Sequence, residues 1–161
     1  MKKYKTHTLK EYADVLSRKT PVPGGGSAAA YAGVLGVSLI AMVAHYSRGK
    51  GKTKAVEKKI GSILKKCKAI QKQMLDLVDL DAQAYLKVVK SKDKSAKEKK
   101  AALKGASKVP LELCKLCYKA MEMTPYLVKN GNKYLVSDIE VAIEMLLAAF
   151  NSSVINININ K

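Results

Sequence analysis

The sequence predicts an all-α protein, an antiparallel helical bundle arranged around a central buried helix. Apolar residues recur at spacings of three and four through most of the chain. Three segments match the capping box, in which a hydroxyl residue is followed three positions later by Glu at a helix start. The length of 161 residues, of which 48% are hydrophobic, suffices for one domain, which we expect to span 1–161.

The first two helices are predicted on either side of a loop rich in glycine and proline. The capping box Thr8-Leu9-Lys10-Glu11 starts a helix that we expect to reach about Arg18. Prolines and glycines in 20–27 end it. A second helix from Ser27 to about His45 is apolar nearly all round, which indicates either a buried helix or a membrane span. Its glycines and short apolar length favour burial, so we expect no membrane association.

Two long helices are predicted in the middle of the chain. Thr53 caps the first, whose apolar periodicity reaches about Val89, with a kink or break expected near its aspartates. The second capping box, Ser95-Ala96-Lys97-Glu98, precedes a helical segment over 101–129. We expect this segment to kink or restart at Pro110.

The end of the chain carries one further helix start. Gly131-Asn132 ends the preceding helix, and the third capping box, Ser137-Asp138-Ile139-Glu140, begins the next one. Isoleucine and asparagine alternate over 154–160, which is typical of a strand, although an extended or helical end would also suit an all-helical chain.

The charge of the chain is strongly basic but poorly suited to nucleic acid. There are 30 Lys+Arg against 13 Asp+Glu, a formal net charge of +17, yet Arg18 and Arg48 are the only arginines. Arginine makes the bidentate and stacking contacts that nucleic-acid readers favour, and aromatic residues are few. We therefore expect no nucleic-acid partner. A coding bias toward AT-rich codons would also explain why lysine, isoleucine and asparagine are abundant.

The odd count of three cysteines and the lack of a secretory leader predict a reduced, cytoplasmic protein.

The loop Gly24-Gly25-Gly26 is the first candidate functional feature. With Ser27 as the expected cap, it leaves backbone N–H groups bare at a helix N-terminus, where an anion or a polar ligand edge binds favourably. It is not a Walker loop, because no Gly-Lys-Ser/Thr closes it. A tight turn with unusual backbone angles is the alternative explanation.

Three aspartates form the second candidate feature. Asp76, Asp79 and Asp81 stand together in a chain that is poor in acidic residues. They either pair with the abundant lysines or hold a carboxylate inside the bundle for proton transfer. Asp81 and Tyr85 are four residues apart and share a helix face.

Two further features are predicted to be structural when taken alone. Ser137 serves as a cap, and Asp138 in the first turn of its helix complements the helix dipole. Cys114 and Cys117 share one helix face, but no second cysteine pair or nearby histidine completes a zinc site. We expect both thiols to be small core residues and predict no metal.

Several segments follow one another in the order found in a known family and cover roughly Thr8 to Asn160. They are Pro21-Val22-Pro23-Gly24-Gly25-Gly26-Ser27, Gly49-Lys50, Leu77-Val78-Asp79-Leu80-Asp81-Ala82-Gln83-Ala84-Tyr85, Val109-Pro110-Leu111, Gly131-Asn132, Val136-Ser137-Asp138 and the closing asparagines. Together they resemble the cyclodeaminase/cyclohydrolase family. That family includes the C-terminal half of formiminotransferase-cyclodeaminase and the stand-alone methenyltetrahydrofolate cyclohydrolases.

The resemblance implies a dimeric helical domain that takes a tetrahydrofolate derivative as substrate and holds no permanent cofactor. A cyclohydrolase adds water to 5,10-methenyltetrahydrofolate, giving 10-formyltetrahydrofolate. A cyclodeaminase instead closes 5-formiminotetrahydrofolate and expels ammonia. The lack of a formiminotransferase domain favours the cyclohydrolase. A non-catalytic scaffold, or a lysine-rich binder of acidic partners, is the alternative from another class.

The resemblance also implies roles for particular residues. Asp81 and Asp138 would be the acid/base groups. The substrate contacts would be Gly24, Gly25, Gly26, Ser27, Lys50, Ser137, Asn156 and Asn160. The family continues into another helix beyond Lys161, so the domain is expected to lack that helix. The lysine surplus would steer a polyglutamylated folate toward the bundle.

Overall fold

The computed structural model describes residues 3–49 and 51–159, and these form helices and turns without any strand. The predicted all-α class is therefore confirmed. The helices are α1 (Leu9–Leu16), α2 (Gly25–Tyr46), α3 (Lys54–Lys90), α4 (Ala96–Met121), α5 (Thr124–Asn130) and α6 (Val136–Ile159). Short 3-10 turns, Tyr4–Thr6 and Lys133–Leu135, precede α1 and α6.

Helix α2 is the central helix of the bundle, as expected. It packs most extensively against α6 and α3 and also contacts α4 and α5. Gly36 permits the close approach of α6, because a Cβ there would lie 2.8 Å from Cγ of Leu146 and 3.0 Å from the carbonyl oxygen of Ala142. Leu146 and Ala142 are fully buried at this crossing. Helices α2 and α6 thus approach each other closely at the centre of the bundle.

Two of the three predicted capping boxes are present, and the third is wrong. The Thr8 and Ser95 side chains each accept a backbone N–H bond, and Glu11 and Glu98 bond back to the caps. Helix α1 ends at Leu16, slightly before the expected Arg18. Ser137 does not cap α6, because the preceding 3-10 turn runs directly into that helix.

The cap at the start of that turn is Asn132 instead. Its side-chain oxygen accepts the N–H of Tyr134 at 3.0 Å. A 3-10 turn that continues into an α-helix moves the capping position upstream of the sequence pattern that normally marks it. Ser137 is exposed in the first turn of α6.

The long helices are more continuous than the sequence predicts. Helix α3 has no break at its aspartates, because the buried residues Leu77, Val78 and Ala82 keep the apolar stripe facing the core. Helix α4 passes through the buried Pro110 without restarting, and the chain breaks instead between Met121 and Thr124. Packing on both sides of the proline outweighs the loss of its backbone donor.

The alternating end of the chain is helical rather than a strand. Helix α6 continues to Ile159, and its backbone groups are satisfied within the helix without a partner strand.

By length and composition, α2 and the segment Lys133–Ile159 could each cross a membrane. Within an 18-residue apolar stretch of each, 56% is buried inside the bundle for α2 and 22% for Lys133–Ile159. The absence of membrane association remains a prediction.

All three cysteines are free and buried. Desolvation raises the pKa of Cys67 to about 11 and that of Cys117 to about 12, so both are inert thiols at neutral pH. Cys114 and Cys117 lie in the core between α4 and its neighbours, as expected of small core residues.

Candidate active site

The glycine loop and the start of α2 form one wall of the candidate site. Gly24 is the N-terminal boundary residue of α2, and no side chain caps the helix there. Ser27, predicted as the cap, lies instead within the first turn and is fully buried. Its hydroxyl is 3.0 Å from the hydroxyl of Tyr12 on α1, and its backbone N–H donates a hydrogen bond to the carboxylate of Asp81. The bare amides of this helix start therefore face a carboxylate from α3.

Gly26 is the position where this contact requires glycine. A Cβ there would collide with the carboxyl group of Asp81, lying 2.8 Å from Oδ2 and closer still to the other two carboxyl atoms. A Cβ on Gly24 or Gly25 would meet no other atom within 4 Å. The approach of a carboxylate to the backbone thus explains one of the three glycines, while the other two border the adjoining cleft.

Asp81 combines partial burial with stabilising contacts. Desolvation raises the pKa of its carboxyl group above the usual range, and the hydrogen bond from Ser27 opposes that rise. The positive end of the α2 dipole also favours the ionised form. Burial and the charge of Asp81 both raise the pKa of the nearby Tyr12 phenol, while its hydrogen bond with Ser27 opposes the rise. Tyr12, Ser27 and Asp81 therefore act as one polar cluster.

A cleft of about 300 Å³ opens beside this cluster. Its lining includes Gly24, Gly25, Gly26, Asp81, Tyr85 and Asn156. The fold thus brings together five residues that the sequence predicted, drawn from the loop before α2, from α3 and from the end of α6. A cleft with a carboxylate, an amide side chain and bare backbone amides can hold a polar heterocycle and exchange protons with it.

Tyr85 and Tyr12 are site residues that the predicted set did not include. Tyr85 lies one helical turn after Asp81 and is 47% exposed at the cleft. Its spacing of four from Asp81 was a usable signal. Tyr12 gave no comparable signal, because its contact with Ser27 joins residues on opposite sides of the glycine loop.

Asp138 and Ser137 do not join this cleft. Both lie in the first turn of α6, whereas Asn156 lies near the other end of the same helix. The eighteen-residue separation corresponds to about 27 Å along the helix axis. Asp81 and Asp138 of one chain are therefore at opposite ends of the bundle.

A second group of motif residues gathers at the Asp138 end. Ser47 accepts the N–H of Asn132 at 2.9 Å, and the N–H of Gly49 donates to Glu57 at 2.6 Å. A Cβ on Gly131 would lie 2.8 Å from the Ser47 hydroxyl oxygen. These residues hold the loops together at that end. Lys50 and Asn160, also predicted as substrate contacts, lie outside the described residues.

The other two aspartates of α3 differ from Asp81. Asp76 forms an ion pair with Lys5 near the surface. Asp79 is buried, and neither of its carboxyl oxygens has a hydrogen-bond partner among the described residues. It lies close enough to Tyr4 for its charge to add to the burial that raises the pKa of that phenol. Of the three aspartates, only Asp81 lines the cleft.

Comparison with known proteins gives consistent matches over nearly the whole chain. A family model described as Formiminotransferase-cyclodeaminase matches residues 8–161. The methenyltetrahydrofolate cyclohydrolase of Methylorubrum extorquens is 30% identical over 163 residues, which cover 95% of this chain and 78% of that protein. The formimidoyltransferase-cyclodeaminase of Mus musculus is 26% identical over 163 residues, but these represent only 30% of that longer protein.

The fold has a close counterpart among solved structures. The crystal structure of formiminotetrahydrofolate cyclodeaminase from Thermotoga maritima matches with a TM-score of 0.93 at 30% identity. The match covers 96% of this chain and 78% of that one. The helical arrangement that forms the cleft is thus shared with a protein named for folate chemistry.

Proposed function

Because the chain belongs to the formiminotransferase-cyclodeaminase family, we propose that it is a methenyltetrahydrofolate cyclohydrolase. It would convert 5,10-methenyltetrahydrofolate to 10-formyltetrahydrofolate. The observation that carries this proposal is the position of Asp81, a half-buried carboxylate held against the bare start of α2 beside a cleft. The 30% identity to a protein of that name over 95% of this chain favours this reaction.

The proposed chemistry is proton transfer at one carbon. The Asp81 carboxylate accepts a proton from water as the water oxygen bonds to the methenyl carbon. The hydroxyl group formed on that carbon then loses its proton as the bond between the carbon and N5 breaks, and the carbon stays on N10 as a formyl group. Of the two protons of the water, one is taken up by N5 and the other is released. The raised pKa of Asp81 suits this role, because a more basic carboxylate accepts the proton of water more readily.

The Asp81 charge has a second use in this reaction. The methenyl substrate carries a positive charge that is lost when water adds. A carboxylate in a partly water-excluded cleft attracts the cationic ring and orients it. Asn156 and the backbone of Gly24 and Gly25 would contact polar edges of the folate, and Tyr85 would cover an apolar part of it.

The second candidate reaction is formiminotetrahydrofolate cyclodeamination. In that case N10 bonds to the formimino carbon and gives up its proton, and the formimino nitrogen leaves as ammonia after taking up two protons. One of these is the proton lost by N10, and Asp81 would supply the other, which a carboxyl group of raised pKa can do. The 0.93 TM-score to the Thermotoga maritima cyclodeaminase favours this alternative. A non-catalytic scaffold or a binder of acidic partners is the third alternative.

We further propose that the chain forms a cytoplasmic homodimer through α6. Its exposed side carries Val141, Leu147, Val154 and Ile155, while Glu144 is the only charged residue between Val141 and Ile159. An apolar, cation-free face on so basic a chain is suited to self-association. In an antiparallel pair of α6 helices, Ser137 and Asp138 of one protomer would approach the cleft of its partner.

The dimer proposal is tested by replacing Ile155 with Lys and measuring mass in solution. The variant should shift from dimer to monomer, because a lysine would be buried in an apolar interface. Exchanging the exposed Lys97 for Gln should leave the mass unchanged. Finding a wild-type monomer at concentrations well above those of the assay would contradict the proposal.

The reaction is tested by following the absorbance of methenyltetrahydrofolate with the purified chain. The cyclohydrolase should accelerate its loss above the buffer rate and yield 10-formyltetrahydrofolate. Consumption of formiminotetrahydrofolate with ammonia release, and no effect on the methenyl form, would assign the cyclodeaminase instead. A folded protein inert toward both substrates would support the non-catalytic alternative.

A further inference from the structure

Tyr12 joins the surface helix α1 to the polar cluster at the start of α2. None of the residues of α1 is buried, so this helix lies on the outside of the bundle. The Tyr12 side chain is half-buried, and its hydroxyl oxygen lies 3.0 Å from Oγ of Ser27. Its ring packs against that of Tyr31 on α2, with 5.4 Å between the centroids. A surface helix therefore contacts the wall of the site through an aromatic side chain that carries a hydroxyl group.

Ser27 connects Tyr12 to the Asp81 carboxylate. It is fully buried in the first turn of α2, where its Oγ contacts Tyr12 and its backbone N–H donates to Asp81. The N–H of Ala28, which donates to the carbonyl oxygen of Gly24, is the first that bonds within this helix. The N–H of Ser27 therefore has no partner in its own helix. Its direction depends on how the first turn of α2 is held.

The residues before Ser27 carry no side chain that could hold this turn. Gly24, Gly25 and Gly26 precede it, and no side chain caps the helix. A run of glycines is flexible backbone, because no Cβ restricts its dihedral angles. The hydroxyl contact with Tyr12 is therefore a side-chain anchor directly beside the N–H that Asp81 accepts.

The position of the Tyr12 ring is not fixed by close packing on every side. A cavity of about 290 Å³ adjoins the ring and is also lined by Tyr4, His7 and Tyr31. A side chain with open space beside it can adopt other rotamers unless a specific contact holds it. The hydroxyl group supplies that contact, so its removal should free the ring from Ser27.

We propose that Tyr12 is a positioning residue for the Asp81 carboxylate and acts through Ser27. Its hydrogen bond with Ser27 holds the first turn of α2 in the orientation in which the Ser27 N–H meets that carboxylate. Tyr12 is not among the described residues that line the Asp81 cleft, so it is not placed to touch a substrate there. The consequence for catalysis rests on the proposed function, whereas the effect on Asp81 itself does not.

The charged form of Asp81 depends on this N–H. Burial raises the pKa of the Asp81 carboxyl group, and the hydrogen bond from Ser27 opposes the rise. The ionisable groups that face Asp81 are two phenols, Tyr12 from α1 and Tyr85 from its own helix. Among the described residues, α2, α4 and α6 contribute no charged side chain to the lining of the cleft. Without a cation in that lining, weakening the bond from the Ser27 N–H should raise the pKa of Asp81 further.

The positioning claim is tested by measuring the pKa of the Asp81 carboxyl group by carbon NMR on the whole chain. Tyr12→Phe should raise that pKa, because it removes the hydroxyl group and keeps the ring. Ser27→Ala should raise it as well. The double variant should go no further than either single variant, because both substitutions break the same hydrogen bond.

The matched control for the titration is Tyr31→Phe. It removes a hydroxyl group from the ring that packs against Tyr12 and should leave the pKa of Asp81 unchanged. An unchanged Asp81 pKa in a folded Tyr12→Phe protein would overturn the proposal. An equal rise in the Tyr31 variant would overturn it as well.

The consequence for catalysis is tested by the pH dependence of kcat/KM for methenyltetrahydrofolate. Because the Asp81 carboxylate is the base of the proposed reaction, a higher pKa moves the acidic limb of the profile to higher pH. On that limb Tyr12→Phe should lower kcat/KM about two- to tenfold, the effect expected for one neutral hydrogen bond, and at the alkaline plateau it should change little. The loss should lie in kcat rather than in KM, because Tyr12 does not line the cleft.

The two measurements separate the possible failures. A loss of the same size at every pH would indicate a merely structural role for Tyr12 and would overturn the proposal. The NMR titration needs no turnover. A chain that is inert toward folates therefore contradicts the proposed function, whereas an unmoved Asp81 pKa contradicts the role of Tyr12.

Discussion

The two helix pairs of the bundle differ sharply in charge. Helices α2 and α6 contain no lysine or arginine, although the chain has 30 such residues. Helices α3 and α4 carry nine and seven lysines. The α2–α6 pair supplies the core crossing and an exposed apolar face, and the α3–α4 pair supplies the Asp81 carboxylate and 16 of the 30 basic residues. Basic residues are thus concentrated on α3 and α4 and absent from α2 and α6.

Substitutions in the two helix pairs should therefore affect different measurements. Changes in α2 and α6 should alter folding and association, because their side chains fill the centre. Changes to lysines of α3 and α4 should alter ligand binding with little effect on folding, because those side chains are solvated. The site itself lies where the two sides meet, at Gly26 and Asp81.

The largest expected effect on stability comes from the α2–α6 crossing. Replacing Leu146, which is fully buried against Gly36, with Ala should lower the free energy of unfolding by about 2–5 kcal/mol. Replacing the exposed Lys97 with Ala should change it by less than about 0.5 kcal/mol. Urea unfolding measures both. Similar losses in the two variants would contradict the contrast between the helix pairs.

The next effect concerns the contact between the two sides. Replacing Gly26 with Ala should cost about 1–3 kcal/mol, because the added Cβ collides with the Asp81 carboxyl group. Replacing Gly25 with Ala should be neutral or stabilising, since the space there is open. The double variant Gly26→Ala, Asp81→Ala should recover most of the lost stability in thermal unfolding. If the double variant were as unstable as Gly26→Ala alone, the collision with Asp81 would not be the cause of the destabilisation.

A smaller effect is expected at Tyr12. Replacing it with Phe removes the hydrogen bond to Ser27 and should lower the free energy of unfolding by about 1 kcal/mol. Replacing Tyr134, which is 94% exposed, with Phe provides the control and should change little. An unchanged stability for the Tyr12 variant would show that the cluster does not depend on α1.

The smallest effect is the pH dependence that Asp81 gives to folding. Because the pKa of its carboxyl group is raised in the folded state, the folded chain holds that proton more tightly. This tighter proton binding stabilises the folded chain at pH values below the pKa that Asp81 has in the unfolded chain. The stabilisation is lost as the pH rises through the higher pKa that Asp81 has in the folded chain. The Asp81→Asn variant should therefore be more stable than wild type at neutral pH, with the gain shrinking in acid. A gain that grows in acid would contradict this direction.

The local patterns of the sequence predicted the helices well and the site only in part. The Thr8 and Ser95 caps and the buried second helix follow from short-range chemistry and were correct. The Ser137 cap was wrong because a 3-10 turn upstream changed where α6 begins. No local signal shows that a turn will merge with the next helix.

The site depended on contacts between distant segments. The glycine loop and Asp81 were predicted separately, and only the fold shows that the carboxylate lies against Gly26. The same fold places Asp138 about 27 Å from Asn156 along α6. A linear sequence orders its motifs without showing which end of a bundle each one occupies.

The proposed reaction depends above all on the Asp81 carboxylate. The most direct measurement compares kcat/KM of Asp81→Asn with that of Asp76→Asn, which changes the same residue type on the same helix at a surface ion pair. We expect kcat/KM to fall about 100-fold or more in the Asp81 variant and less than about twofold in the Asp76 variant. An Asp81→Asn protein that folds and retains more than about half of wild-type activity would contradict it.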